Sequence, residues 1–130
     1  MFMVKPRLVI IDEEATLLRM YQRMIGRDFE IEVFTDPRVA LACIVRGGVD
    51  VILCDHQLGA MSGQDVYEAL PVADQARVVM CSGAPPSTDD AFAMALRERY
   101  FVKMRPIDEL VTLLIEVAEA SAPTMRSTAA

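Results

Sequence analysis

Basic residues, cysteines and aromatic side chains are all scarce in this chain, and no apolar run in it is long. Thirteen Lys and Arg stand against nineteen Asp and Glu, a formal charge of −6 over 130 residues, with a pI of about 4.7. Without a basic cluster to neutralise phosphates, the chain is a poor candidate for direct nucleic-acid binding. Aromatic residues make up only 6% and form no series on which bases could stack. No apolar run approaches the roughly 20 residues that cross a bilayer, so no membrane insertion is expected. Met1 to Arg7 is too short, and too soon followed by a strand pattern, for a signal peptide. Three cysteines, an odd number without paired spacing, suit a reducing compartment and so point to the cytoplasm.

Hydrophobic side chains, at 53%, are plentiful enough for one well-buried core, and the length fits one domain. That domain is expected over residues 1–120, followed by a small, polar, flexible tail over 121–130. Val51-Ile52-Leu53-Cys54 is an unbroken apolar run ending in Asp55, the pattern of a strand buried on both faces of a parallel sheet. Leu8 to Ile11 ends in Asp12-Glu13-Glu14, Val78 to Cys81 ends in Ser82, and Tyr100 to Val102 ends in Lys103. Glu30 to Phe34 alternates polar and apolar, as an edge strand does. Helical spacing places helices in Ala15 to Arg27, with Gly26 marking the end, from Pro37 to Gly47-Gly48, over Gly63 to Leu70, from the Ser87–Asp90 cap to about Arg99, and from about Pro106 to Ala120. Residues 72–77 are an exposed connection, and Pro85-Pro86 forces a loop.

A β-α unit repeated five times, with right-handed crossovers, predicts an α/β doubly wound, five-stranded parallel sheet with five helices, flavodoxin-like. Its strand order is 2-1-3-4-5, which sets the first and third strands side by side and gathers Asp12, Glu13 and Asp55 at one rim, where sites in such folds lie.

These residues resemble the receiver domain of two-component response regulators, over roughly Leu8 to Glu119. The family's acidic pair matches Asp12-Glu13, its phosphoacceptor Asp55, and the glycine eight residues later Gly63. Its Ser/Thr matches Ser82, its lysine Lys103, and its switch aromatic Tyr100. The resemblance implies that Asp55 accepts a phosphoryl group from a sensor histidine kinase or histidine phosphotransfer protein, with Mg²⁺ as cofactor. The metal ligands would be Asp12, Glu13, Asp55 and the main-chain carbonyl of Gln57, with Asp12 direct or through water. Lys103 and Ser82 would contact the phosphoryl oxygens, and Tyr100 would repack to alter a protein-interaction surface. A downstream protein target and a phosphorylation-dependent homodimer are the implied partners. No DNA-binding output follows the receiver-like stretch, so its output is expected to be a protein contact. Slow self-dephosphorylation is the only turnover implied, so the chain is not read as an enzyme.

Two positions depart from the family pattern. Lys103 is followed by Met104 where the family has proline, and Pro106 comes only after Arg105; aligning Lys103 keeps Tyr100 at its offset, whereas aligning Arg105 keeps the basic-proline pair. The first alignment is preferred. Gly59 replaces a common proline and is expected to loosen its loop. Each residue also has a plainer reading. Asp12 to Glu14 suits a helix start, Asp55 a loop, Ser82 a turn, Lys103 a solvated surface and Tyr100 a core. His56, the sole histidine, reads as an exposed bystander. Cys54 and Cys81 read as small buried hydrophobes. Two further functions compete: a receiver-like interaction module that works without phosphorylation, and an aspartate-nucleophile phosphatase using Asp12 and Thr16.

Overall fold

Five short parallel strands form the frame of this computed structural model, which describes residues 4–121. The strands are β1 (Arg7–Ile11), β2 (Glu30–Phe34), β3 (Val51–Asp55), β4 (Val78–Ser82) and β5 (Tyr100–Val102), in the order β2-β1-β3-β4-β5. The expected fold class is therefore the one found. The tail expected over 121–130 lies, from residue 122 on, outside the described residues.

Side-chain alternation along the strands splits the core in two. Val9, Ile11, Ile52, Cys54, Val78 and Met80 face the layer formed by α2 (Pro37–Val45), α3 (Gly63–Ala69) and α5 (Ala91–Ala95). Leu8, Ile10, Val51, Leu53, Val79 and Cys81 face α1 (Ala15–Ile25) and α6 (Ile107–Ser121). Central β3 is buried at every residue, whereas edge strand β2 alternates exposed glutamates with half-covered apolar side chains. Cys54 and Cys81 are buried and free, one in each half-core, as a small hydrophobe would be.

Two elements differ from expectation. A one-turn helix, α4 (Val72–Gln75), forms in the connection before β4, making six α-helices among the described residues where five were expected. α1 closes at Ile25 with Gly26 as its cap, the glycine expected to end it. α5 stops at Ala95 and a 3₁₀ turn over Arg97–Arg99 completes the segment. Arg99 accounts for that last change: its guanidinium donates to the carbonyls of Gln75 and Val78, both at 2.8 Å, and pins the chain at the entrance to β5. After α2, Gly47 and Gly48 take φ of 91° and 83°, a left-handed turn that side chains resist.

Candidate functional site

The register of the sheet builds the site. Ile11 of β1 is opposite Cys54 of β3, so the residues that follow, Asp12 and Asp55, emerge side by side. Asp55 is in turn opposite Cys81 of β4, which brings Ser82 to the same rim, and Ser82 is opposite Val102, one residue before Lys103. The main-chain N–H of Lys103 donates to the Ser82 carbonyl at 2.8 Å, which fixes where the lysine side chain starts.

Asp12 and Asp55 are only 2% and 8% exposed, too little for water alone to solvate two carboxylates. The Lys103 ammonium answers both, donating to Asp12 Oδ2 at 3.2 Å and to Asp55 Oδ2 at 3.1 Å. The remaining oxygens accept from main-chain N–H groups: Asp12 Oδ1 from Glu14 at 2.9 Å, and Asp55 Oδ1 from Gln57 at 3.2 Å. Burial dominates the Asp55 carboxyl and holds its pKa above the usual carboxylate value, although Lys103 and the Gln57 N–H pull the other way. Burial alone would depress Lys103; the hydrogen bond and charge of Asp55, with the charge of Asp12, outweigh it and raise the lysine pKa.

The other expected site residues stand nearby without joining this cluster. Glu13 is exposed and leans over the β3–α3 loop, where a Cβ on Gly59 would lie 2.9 Å from its Oε2. Ser82 Oγ accepts from the Ala84 N–H at 3.4 Å. Tyr100 is buried among Met80, Ala93 and Leu96. Arg105 pairs with Glu109 at 3.0 Å on the surface, so the ammonium of Lys103, not the guanidinium of Arg105, occupies the space between the acids. Met104 is 87% exposed.

Among the described residues, no three His, Cys, Asp or Glu side chains converge closely enough to cage a metal ion. Two of the three expected acids meet, bridged by an ammonium, and the third waits on the rim. The donor set is entirely oxygen, which suits Mg²⁺, an ion that takes one or two carboxylates and keeps several waters.

Gly63 explains how α3 can start so close to the end of β3. A Cβ there would lie 2.6 Å from the Asp55 carbonyl and 2.9 Å from the Cα of His56. Its N–H donates to the His56 carbonyl at 2.8 Å.

His56 is not the exposed bystander expected. Its ring is half-buried, and Nε2 lies 3.1 Å from Asp90 Oδ2. It stands edge-on to Tyr100, with centroids 6.2 Å apart, and tilted against Phe92. Asp90 is the N-cap of α5 and also accepts from the Ala93 N–H at 3.0 Å. That amide first, and His56 second, hold the Asp90 carboxyl below its usual pKa. The sequence signal for this pair is faint: one histidine directly after a strand, and one acid capping the helix after the neighbouring strand.

No helix of the described residues is long and apolar enough to cross a membrane. A family model described as response regulator receiver domain matches residues 8–115. The sensory transduction protein RegX3 from Mycobacterium bovis is 30% identical over 105 residues, covering 80% of this chain and 46% of that protein. A protein-glutamate methylesterase/protein-glutamine glutaminase 1 from Anaeromyxobacter dehalogenans is 31% identical over 88 residues, covering 66% of this chain and 25% of that protein. The chain thus spans under half of the one relative and a quarter of the other. In fold it is similar to the response regulator TrrA from Thermotoga maritima, solved in complex with Mg²⁺-BeF, at a TM-score of 0.75 and 18% identity over 86% of this chain and 98% of that one.

Proposed function

We propose, from the premise that this chain belongs to the response regulator receiver family, that Asp55 accepts a phosphoryl group from a histidine kinase or phosphotransfer protein and thereby switches a protein-binding surface. Receiver domains are signalling domains of two-component systems, and they typically bind Mg²⁺ where they are phosphorylated. The observation that carries the reading for these residues is the Lys103 ammonium held between two nearly buried carboxylates at the rim of a parallel sheet.

A carboxylate attacks phosphorus poorly unless the phosphoryl charge is neutralised and the groups are aligned. Here an Asp55 oxygen forms the new O–P bond as the donor's N–P bond breaks, and the leaving imidazole nitrogen takes up a proton. Lys103 is already beside that oxygen and turns toward the incoming phosphoryl oxygens, supplying positive charge as they arrive. Ser82 donates its hydroxyl to one of them, which requires it to leave its turn bond to Ala84 and draws the β4–α5 loop inward. Tyr100, packed under α5, then repacks. Asp12, Glu13, Asp55 and the Gln57 carbonyl would hold Mg²⁺; when bound, the ion supplies charge neutralisation and phosphoryl alignment. The Mg²⁺-BeF complex of the similarly folded Thermotoga protein supports this choice of ion.

Incubation with acetyl phosphate and Mg²⁺, followed by intact mass measurement, tests the reading. The wild type is expected to gain one phosphoryl group and Asp55→Asn none. A wild type that no small donor or kinase labels would leave the phosphorylation-independent interaction module as the better reading.

A further inference from the structure

The residue directly after the acceptor ties it to the helix that the switch must move. His56 is fixed by its backbone on two sides: its N–H donates to the Cys81 carbonyl of β4 at 2.7 Å, and its carbonyl accepts from Gly63 at the start of α3. Its side chain leaves this anchor and crosses to Asp90, at the far end of the β4–α5 loop. An ionised carboxylate only accepts, so the proton of the contact is on His56 Nε2. Nδ1 is buried without a hydrogen-bond partner among the described residues, so Asp90 is the ring's single polar tether. The same ring walls in Tyr100 and Phe92. Asp90 uses its two oxygens separately, Oδ1 to cap α5 and Oδ2 to hold His56.

The geometry points to His56 as a positioning residue: its bond to Asp90 latches the start of α5 to the acceptor strand and favours the arrangement described here over the phosphorylated one. This rests on the proposed phosphorylation of Asp55. The loop that Ser82 would draw inward runs from Gly83 to Asp90, so its movement has to stretch or break the latch. A contact present in one state and lost in the other sets the balance between them.

Beryllofluoride with Mg²⁺, titrated on the full chain and followed by NMR, measures that balance. His56→Phe keeps the ring packing and removes the bond. Asp90→Ser keeps an N-cap of similar quality but is too short to reach His56. Each is expected to tighten beryllofluoride binding by about fivefold, the fold-change that one partly exposed hydrogen bond of ordinary net strength supplies. The double variant should do no better than either alone, and His56→Gln, which can still donate, should return toward wild type. Unchanged or weakened binding in the single variants, or additive gains in the double, overturns the latch while leaving Asp55 as acceptor. A wild type that binds no beryllofluoride and takes no phosphoryl group overturns both.

Discussion

Lys103 is one positive charge serving two nearly buried negative ones, and its removal therefore costs more than a surface lysine would. Truncation of one partner in a dry ion pair typically costs roughly 3–5 kcal/mol. Lys103 is partly open to water, with 23% of its side chain exposed, so we expect about 1–2 kcal/mol for Lys103→Ala after allowing for solvent screening. Arg105→Ala, which breaks a surface i,i+4 pair, should stay within about 0.5 kcal/mol. Urea unfolding of the two variants at neutral pH checks the contrast; equal losses would move the functional basic residue back into doubt. The pH dependence has a definite sign. Asp55 has a raised folded pKa, so its ionisation opposes folding above that pKa and the penalty fades as pH falls through it. The deficit of Lys103→Ala should shrink over the same acid window, because protonation removes the repulsion between Asp12 and Asp55. Lys103 itself has a raised folded pKa, so its contribution is full below the ordinary lysine value and lost as pH climbs through the folded one. These residues were readable in the sequence because each closes an apolar run. His56–Asp90 was not, since neither the histidine nor the cap carries a pattern until β3 and β4 are laid side by side.

The start of α3 carries the clearest consequence at the level of elements. Ser62 and Asp65 form a reciprocal capping box, and Gly63 between them lets that helix end touch the backbone at the end of β3. A methyl group at 63 meets main-chain atoms at 2.6 and 2.9 Å, and main chain cannot swing aside as a side chain can. Gly63→Ala is expected to lose about 1–3 kcal/mol of stability, the usual cost of overpacking, and to shift the amide resonances of Asp55 and His56. Gly59→Ala meets only the mobile end of Glu13 and should be close to neutral in stability. Thermal unfolding with amide NMR separates the two, and a neutral Gly63→Ala would mean the helix end has room to retreat. Strand positions were legible because period-2 burial and apolar runs are local properties. The early stop of α5 was not, because it depends on Arg99 reaching carbonyls of Gln75 and Val78, more than twenty residues away. The one-turn α4 escaped for the opposite reason: residues 72–75 bury nothing, so no periodic signal exists to read.

Taken whole, the molecule concentrates unfavourable charge at one rim of an already acidic chain. The net charge is −6, and Asp12 and Asp55 meet at the carboxyl end of the sheet with one ammonium to balance them, while Glu13 stands exposed on the rim. A divalent cation that binds the folded rim and not the unfolded chain stabilises by mass action, about 2.7 kcal/mol at a hundredfold excess over its dissociation constant. For a domain of this size that is a rise in Tm of roughly 5–15 °C. Monovalent salt screens the same repulsion without occupying the site, so the comparison must be made at equal ionic strength. We expect MgCl₂ to raise the Tm of the wild type well beyond a matched NaCl solution, and to lose that excess in Asp12→Asn. The neutral variant has a second use. Removing one of two facing carboxylates relieves repulsion, so Asp12→Asn should be at least as stable as the wild type without metal and less stable with it. Such a crossing of the two curves requires a cation held by the acids themselves. Parallel curves, with Mg²⁺ and NaCl interchangeable, would reduce the rim to a patch of screened charge and remove the metal from the proposed chemistry.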